Sequence, residues 1–153
     1  MSRCVACVGN SLRGDDAVGL AVLQLLEGTL PDGVRVIGCE GEPVALLDAW
    51  AGCELAIVVD ATHSGAEPGT VRRIPAHETR LPDELARAST HVLGVGEAIE
   101  LARALGRLPP CTIVYGIEGS HFDTGAPLSP EVAAAAEVVA AAIRRELERS
   151  AAI

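Results

Sequence analysis

At 153 residues, 49% of them apolar and only 2% aromatic, the chain is one domain long, and its interior must be built from Ala, Val, Leu and Ile. A formal net charge of −9 weighs against a nucleic-acid partner, which basic side chains would recruit. The absence of Lys excludes a P-loop lysine and Schiff-base chemistry.

The N-terminus reaches Gly9 and Asn10 too soon for a signal peptide's apolar stretch. The longest greasy stretch, Val132 to Ile143, is broken by Glu137 and is shorter than the roughly 20 residues a membrane span takes. A soluble, cytoplasmic protein that touches no membrane and acts as a monomer is expected. Residues 1–153 read as a single domain without repeats or linkers.

The first expected strand covers Arg3 to Val8, and a loop from Gly9 to Asp15 leads into a helix over Asp16 to Glu27. Val18, Ala21, Val22, Leu25 and Leu26 form that helix's apolar stripe. A second strand, Val34 to Cys39, precedes a short helix over Pro43 to Trp50. The third strand, Leu55 to Asp60, is apolar up to its last residue and should be central, covered on both faces. Thr70 to Ile74 reads as a shorter strand, and Pro75 to Thr90 as a long loop with one helical turn. A helix over Gly94 to Leu105 and a strand over Cys111 to Ile117 follow. Ser129-Pro130-Glu131 opens the last helix, with Ser129 as its cap and Val132, Ala136, Val139, Ile143 and Leu147 as its core stripe. Arg144, Arg145 and Arg149 complement the dipole at its end.

This alternation predicts an α/β domain with a doubly wound, mostly parallel five-stranded sheet and helices on both faces. Ligands of such sheets bind at the carboxyl ends of the strands. Five cysteines lie at positions 4, 7, 39, 53 and 111 and read as reduced thiols. Cys4 and Cys7 form a C-x-x-C, but three residues apart on a strand they point to opposite faces and cannot chelate together.

Three places qualify: the Gly9 loop with Asp15 and Asp16 after the first strand, Asp60 at the end of the third, and Ser89-Thr90-His91-Val92-Leu93-Gly94 before the helix that starts near Gly94. Neither the Gly9 loop nor Gly94-Val95-Gly96 has a dinucleotide fingerprint's glycine spacing. One of the two adjacent acids caps the helix start and the other is available to a cleft. Asp60, ending an apolar strand, must emerge at the sheet edge or be paired, whether in a site or by capping through Thr62 or Ser64. Asp16, Asp60 and His91 together would offer two carboxylates and an imidazole. That set suits a borderline divalent ion such as nickel or zinc, or two acids working on a water molecule. The residues alone do not choose between these uses.

The segment Val8-Gly9-Asn10-Ser11-Leu12-Arg13-Gly14-Asp15-Asp16-Ala17-Val18-Gly19 resembles the opening signature of the [NiFe]-hydrogenase maturation endopeptidases, G-N-x-L-x-x-D-[DE]-G-x-G. Val58-Val59-Asp60-Ala61, Thr90-His91-Val92-Leu93-Gly94, Tyr115-Gly116-Ile117-Glu118 and Leu128-Ser129-Pro130-Glu131-Val132 resemble later motifs of the same family, in order. Ala17 stands where the family usually has Gly, and Cys39-Glu40-Gly41-Glu42-Pro43 matches its glycine-rich loop only loosely. The resemblance implies an aspartic-type endopeptidase that removes a C-terminal peptide from the hydrogenase large-subunit precursor. Nickel carried by that precursor would be recognised by Asp16, Asp60 and His91, which would also be the catalytic residues. Two other readings remain open: a chaperone that binds nickel or the large subunit without cutting, and an enzyme similar to peptidyl-tRNA hydrolase.

Overall fold

Six consecutive buried residues, Arg3–Val8, form β1 at the heart of the computed structural model, which describes residues 2–40, 42–82 and 94–151. β2 (Val34–Cys39) and β3 (Leu55–Thr62) lie parallel to β1 on either side, and β5 (Cys111–Glu118) lies parallel to β3. β4 (Val71–Pro75) pairs antiparallel with β5 and closes that edge, so the order is β2-β1-β3-β5-β4. Pro75, which has no N–H to donate, sits at the end of this edge strand, where proline is tolerated. The sheet is the mostly parallel, five-stranded one that the alternation predicts.

Side-chain alternation along the strands divides the core in two. Cys7, Ile57, Val59, Ile113 and Ile117 face α1 (Val18–Leu26) and the last helix, α4 (Pro130–Ala151), which pack on each other. Cys4, Ala6, Ala56, Val58 and Val114 face α2 (Pro43–Ala49) and α3 (Val95–Ala104). The expected α4 stripe is buried from Val132 to Leu147. Arg144 leaves its own helix end and reaches the Leu25 carbonyl at 2.6 Å and the Thr29 hydroxyl at 3.0 Å, tying α4 to the end of α1. Cys4 and Cys7 occupy opposite faces, as their spacing requires. Burial pushes both thiols up to about 12, helped by Cys53 beside Cys4 and by Cys39 beside Cys7.

Two boundaries differ from expectation by two residues each. The first helix does not start at Asp16: residues Gly14–Ala17 form a 3₁₀ turn and α1 begins at Val18. The Asp16 amide closes that turn by donating to Arg13 O at 3.0 Å, while the Asp15 amide donates across the molecule to His121 O at 2.7 Å. β3 runs two residues past Asp60, because its ladder with β5 continues through Ala61↔Ile117 and Thr62↔Glu118. Of the expected Pro75–Thr90 loop, residues 83–90 lie outside the described residues.

Candidate active site

The loop after β1 is a braced structure. Gly9 N–H donates to Cys39 O at 3.0 Å, Asn10 N–H to Asp16 O at 3.2 Å, and Gly125 N–H to Leu12 O at 2.8 Å. The Asn10 side chain accepts the Leu12 amide at 2.9 Å, closing a tight Asx turn. Gly14 has φ +53°, and a Cβ there would lie 2.2 Å from His121 O. At Gly19 a Cβ would lie 2.0 Å from Val8 O, so α1 crosses β1 at backbone contact distance. These approaches fix where Asp15 and Asp16 stand, and both are fully buried.

Asp15 does not cap the helix that follows it; neither the 3₁₀ turn nor α1 has a side-chain cap. Its carboxylate instead accepts the Ser129 amide at 2.7 Å, the Ser120 amide at 2.8 Å, the His121 amide at 3.0 Å and the Ser129 hydroxyl at 2.7 Å. Burial works against the charge, but these four donors outweigh it and hold Asp15 below the usual carboxylate range. A negative charge also suits this position, directly before the N-terminus of α4. The Ser129 side chain, the cap expected for α4, donates to Asp15. The expected cap by one of the two acids is therefore absent from the helix that follows them, and Asp15 accepts the amide at the start of α4 instead.

Asp60 lies within β3, opposite Gly116 of β5, with 3% of its surface exposed. One of its oxygens accepts the Ala61 amide at 2.9 Å. It does not hold the following turn through Thr62 or Ser64, because Glu118 does so. Glu118 accepts the Thr62 hydroxyl at 2.9 Å, the Ser64 hydroxyl at 2.7 Å and amide at 2.8 Å, and the Gly65 amide at 3.2 Å. Glu118, like Asp60 an acid at the end of an apolar strand, carries the same signal in the sequence.

The turn bearing Asp16 packs against β3, so Asp16 and Asp60 stand at the carboxyl ends of neighbouring strands. His91, together with Thr90, Val92 and Leu93, lies outside the described residues. Among the described residues no three His, Cys, Asp or Glu side chains form a metal-sized cluster. Two buried carboxylates are thus described, and one of them, Asp60, lines an apolar recess with Thr62, Ile74, Leu81, Val95, Val114 and Gly116. Low local polarity of this kind strengthens any charge interaction formed there.

A family model described as hydrogenase maturation protease matches residues 21–146. The chain belongs to the hydrogenase maturation protease family. It is 30% identical to the hydrogenase 2 maturation protease of Escherichia coli K12 over 156 residues, covering 94% of this chain and 92% of that one. It is 34% identical to a putative hydrogenase maturation protease of Methanocaldococcus jannaschii over 151 residues, with 95% of each covered. The solved structure of the hydrogenase maturating endopeptidase HybD from E. coli superposes with a TM-score of 0.81 at 27% identity, covering 98% of this chain and 94% of that one. The chain spans 58% of the length of the hydrogenase expression/formation protein HupD of Thiocapsa roseopersicina, another relative. The family model's match begins after the braced Gly9–Gly19 segment. Among the described residues no helix is long and apolar enough to cross a membrane.

Proposed function

We propose that the protein is an endopeptidase that removes the C-terminal peptide of a [NiFe]-hydrogenase large-subunit precursor once nickel has been inserted. The observation that carries this reading is the pair of buried acids, Asp16 and Asp60, at the carboxyl ends of adjacent strands in a member of the maturation protease family. Nickel belongs to the substrate. Asp16, Asp60 and His91 complete its coordination with two carboxylates and an imidazole, donors that suit a borderline ion and release it more readily than thiolates would.

The same residues act in cleavage. With the ion polarising the scissile carbonyl, water adds to the carbonyl carbon, the C–N bond breaks, and the departing nitrogen takes up a proton. A carboxylate positioned beside the ion accepts the proton of the attacking water, the aspartic-type part of the chemistry. The reaction belongs to the cytoplasm, a reducing compartment in which five cysteines without a disulfide are at home.

The test is the intact mass of a nickel-loaded large-subunit precursor from the same genome, incubated with the wild-type protein or with Asp16→Asn. Loss of a C-terminal peptide with the wild type alone is the expected result. Association of the two proteins with unchanged mass would replace the protease by a non-cleaving maturation chaperone.

A further inference from the structure

Cys53 closes the turn after α2, with 5% of its surface exposed and its amide donating to Trp50 O at 3.0 Å. Its sulfur is met from two sides. Arg35, on the edge strand β2, brings Nη2 to 3.1 Å from Sγ, while the same nitrogen holds the Ala49 carbonyl at the end of α2 at 3.2 Å. Cys4 is the ladder neighbour of Arg35 in β1, and its thiol hydrogen-bonds the Cys53 sulfur. Both cysteines belong to the half of the core covered by α2 and α3.

The two thiols differ in character. Cys4 is fully buried, and burial together with Cys53 pushes it up to about 12, so it keeps its proton. Cys53 lies beneath the exposed Arg35, where a small reagent arriving from solvent meets its sulfur first. The reacting form of a thiol is the thiolate, and a guanidinium in contact steadies that charge. A reachable sulfur beside a cation, with a second, protonated thiol behind it, is the arrangement of a redox pair.

We infer that Cys53 is an oxidation site for hydroperoxides and that Cys4 resolves its oxidised form to an intramolecular disulfide. The Cys53 thiolate attacks one oxygen of hydrogen peroxide. The S–O bond forms, the O–O bond breaks, and the hydroxide leaves as water with the proton the thiol has shed. The Cys4 sulfur, giving up its proton to the departing hydroxyl, then attacks the sulfur of the Cys53 sulfenic acid. The S–S bond forms, the S–O bond breaks, and a second water leaves, so the thiols have given two electrons to one peroxide. The disulfide halts oxidation at a step that a dithiol reductant reverses, whereas a sulfenic acid without a partner goes on to the irreversible sulfinic acid. The pair lies at the amino ends of β1 and β3, away from Asp16 and Asp60, so the inference is independent of the endopeptidase reading.

The test treats the reduced protein with hydrogen peroxide, then with N-ethylmaleimide in denaturant, and locates linked cysteines by fragmentation mass spectrometry. A Cys4–Cys53 disulfide that dithiothreitol reopens is the expected product. Cys4→Ala should instead gain two oxygen atoms at Cys53. Arg35→Gln should slow the loss of the Cys53 thiol roughly tenfold. If Arg35 only braced the end of α2, its loss would uncover Cys53 and speed that reaction, so the direction of the change separates the two roles. Peroxide treatment that yields no Cys4–Cys53 disulfide, or that spends itself on Cys39 or Cys111 instead, would overturn the pair. So would a Cys53 rate in Arg35→Gln equal to or above that of the wild type.

Discussion

Asp15 and Ser129 lie 114 residues apart in sequence and are joined twice, the Ser129 amide to one carboxylate oxygen and the Ser129 hydroxyl to the other, each at 2.7 Å. With the Ser120 and His121 amides on the same carboxylate, this one side chain fastens the loop after β5 and the start of α4 to the turn that carries Asp16. The conformation of the candidate site is therefore set by a residue that need not touch substrate.

Replacing Asp15 by Ala should strand three backbone amides at a buried point. At about 1–3 kcal/mol for each such unsatisfied group, partly relieved by water, a loss of about 3 kcal/mol or more is expected in urea denaturation. The charge has its own signature. Asp15 is held below its unfolded value of about 3.9, so its contribution is fully present above that pH and is lost as pH falls through the folded value. Stability of the wild type should drop in this acid window, and Asp15→Asn should lack that component of the drop. An unchanged acid limb in Asp15→Asn would show that another carboxylate is responsible.

Asp60→Asn keeps the oxygen that accepts the Ala61 amide, so the end of β3 should survive the change. Processing should nevertheless fall by about a hundredfold or more, because an amide neither takes a proton nor matches a carboxylate as a nickel donor. His91→Ala should behave the same way. Precursor mass against time, alongside a thermal melt, checks both; processing at the wild-type rate in either variant would remove that residue from the site.

Gly19→Ala should fail for a different reason. The added methyl would sit 2.0 Å from the Val8 carbonyl oxygen, backbone against backbone, so neither side can rotate away. Separating α1 from β1 would open the core around Val18, Val22 and Leu26, with a cost of at least about 3 kcal/mol. A soluble Gly19→Ala protein melting near the wild-type temperature would contradict the close approach of α1 to β1.

Much of this architecture is legible in the sequence because each element answers to local rules. Apolar runs without alternation mark β1 and β3 as central, and the 3.6-residue stripe from Val132 to Leu147 marks α4. The pairing of β4 with β5 runs antiparallel, a direction that no feature of Val71–Pro75 encodes on its own. Asp15 illustrates the deeper limit. An acid beside a helix start reads as a cap for that helix, and nothing within ten residues reveals that its donors lie beyond residue 119. Gly116 was legible only as part of a motif, since its meaning depends on standing opposite Asp60 across two strands.

The C-x-x-C gives a last, independent check. Cys4 and Cys7 face different halves of the core, and burial pushes each thiol up to about 12, so both stay in the unreactive thiol form at neutral pH. Cys39, half-buried at the end of β2, should take an alkylating reagent well before either of them. Labelling at Cys4 and Cys7 should appear only under unfolding conditions, as peptide mapping after timed exposure to iodoacetamide would show. Cys7→Ala should process precursor at the wild-type rate while costing about 1 kcal/mol of stability. Loss of processing in a Cys7→Ala protein that still melts cooperatively would mean the thiol takes part in the chemistry. That result would conflict with its position inside β1, on the face covered by α1 and α4.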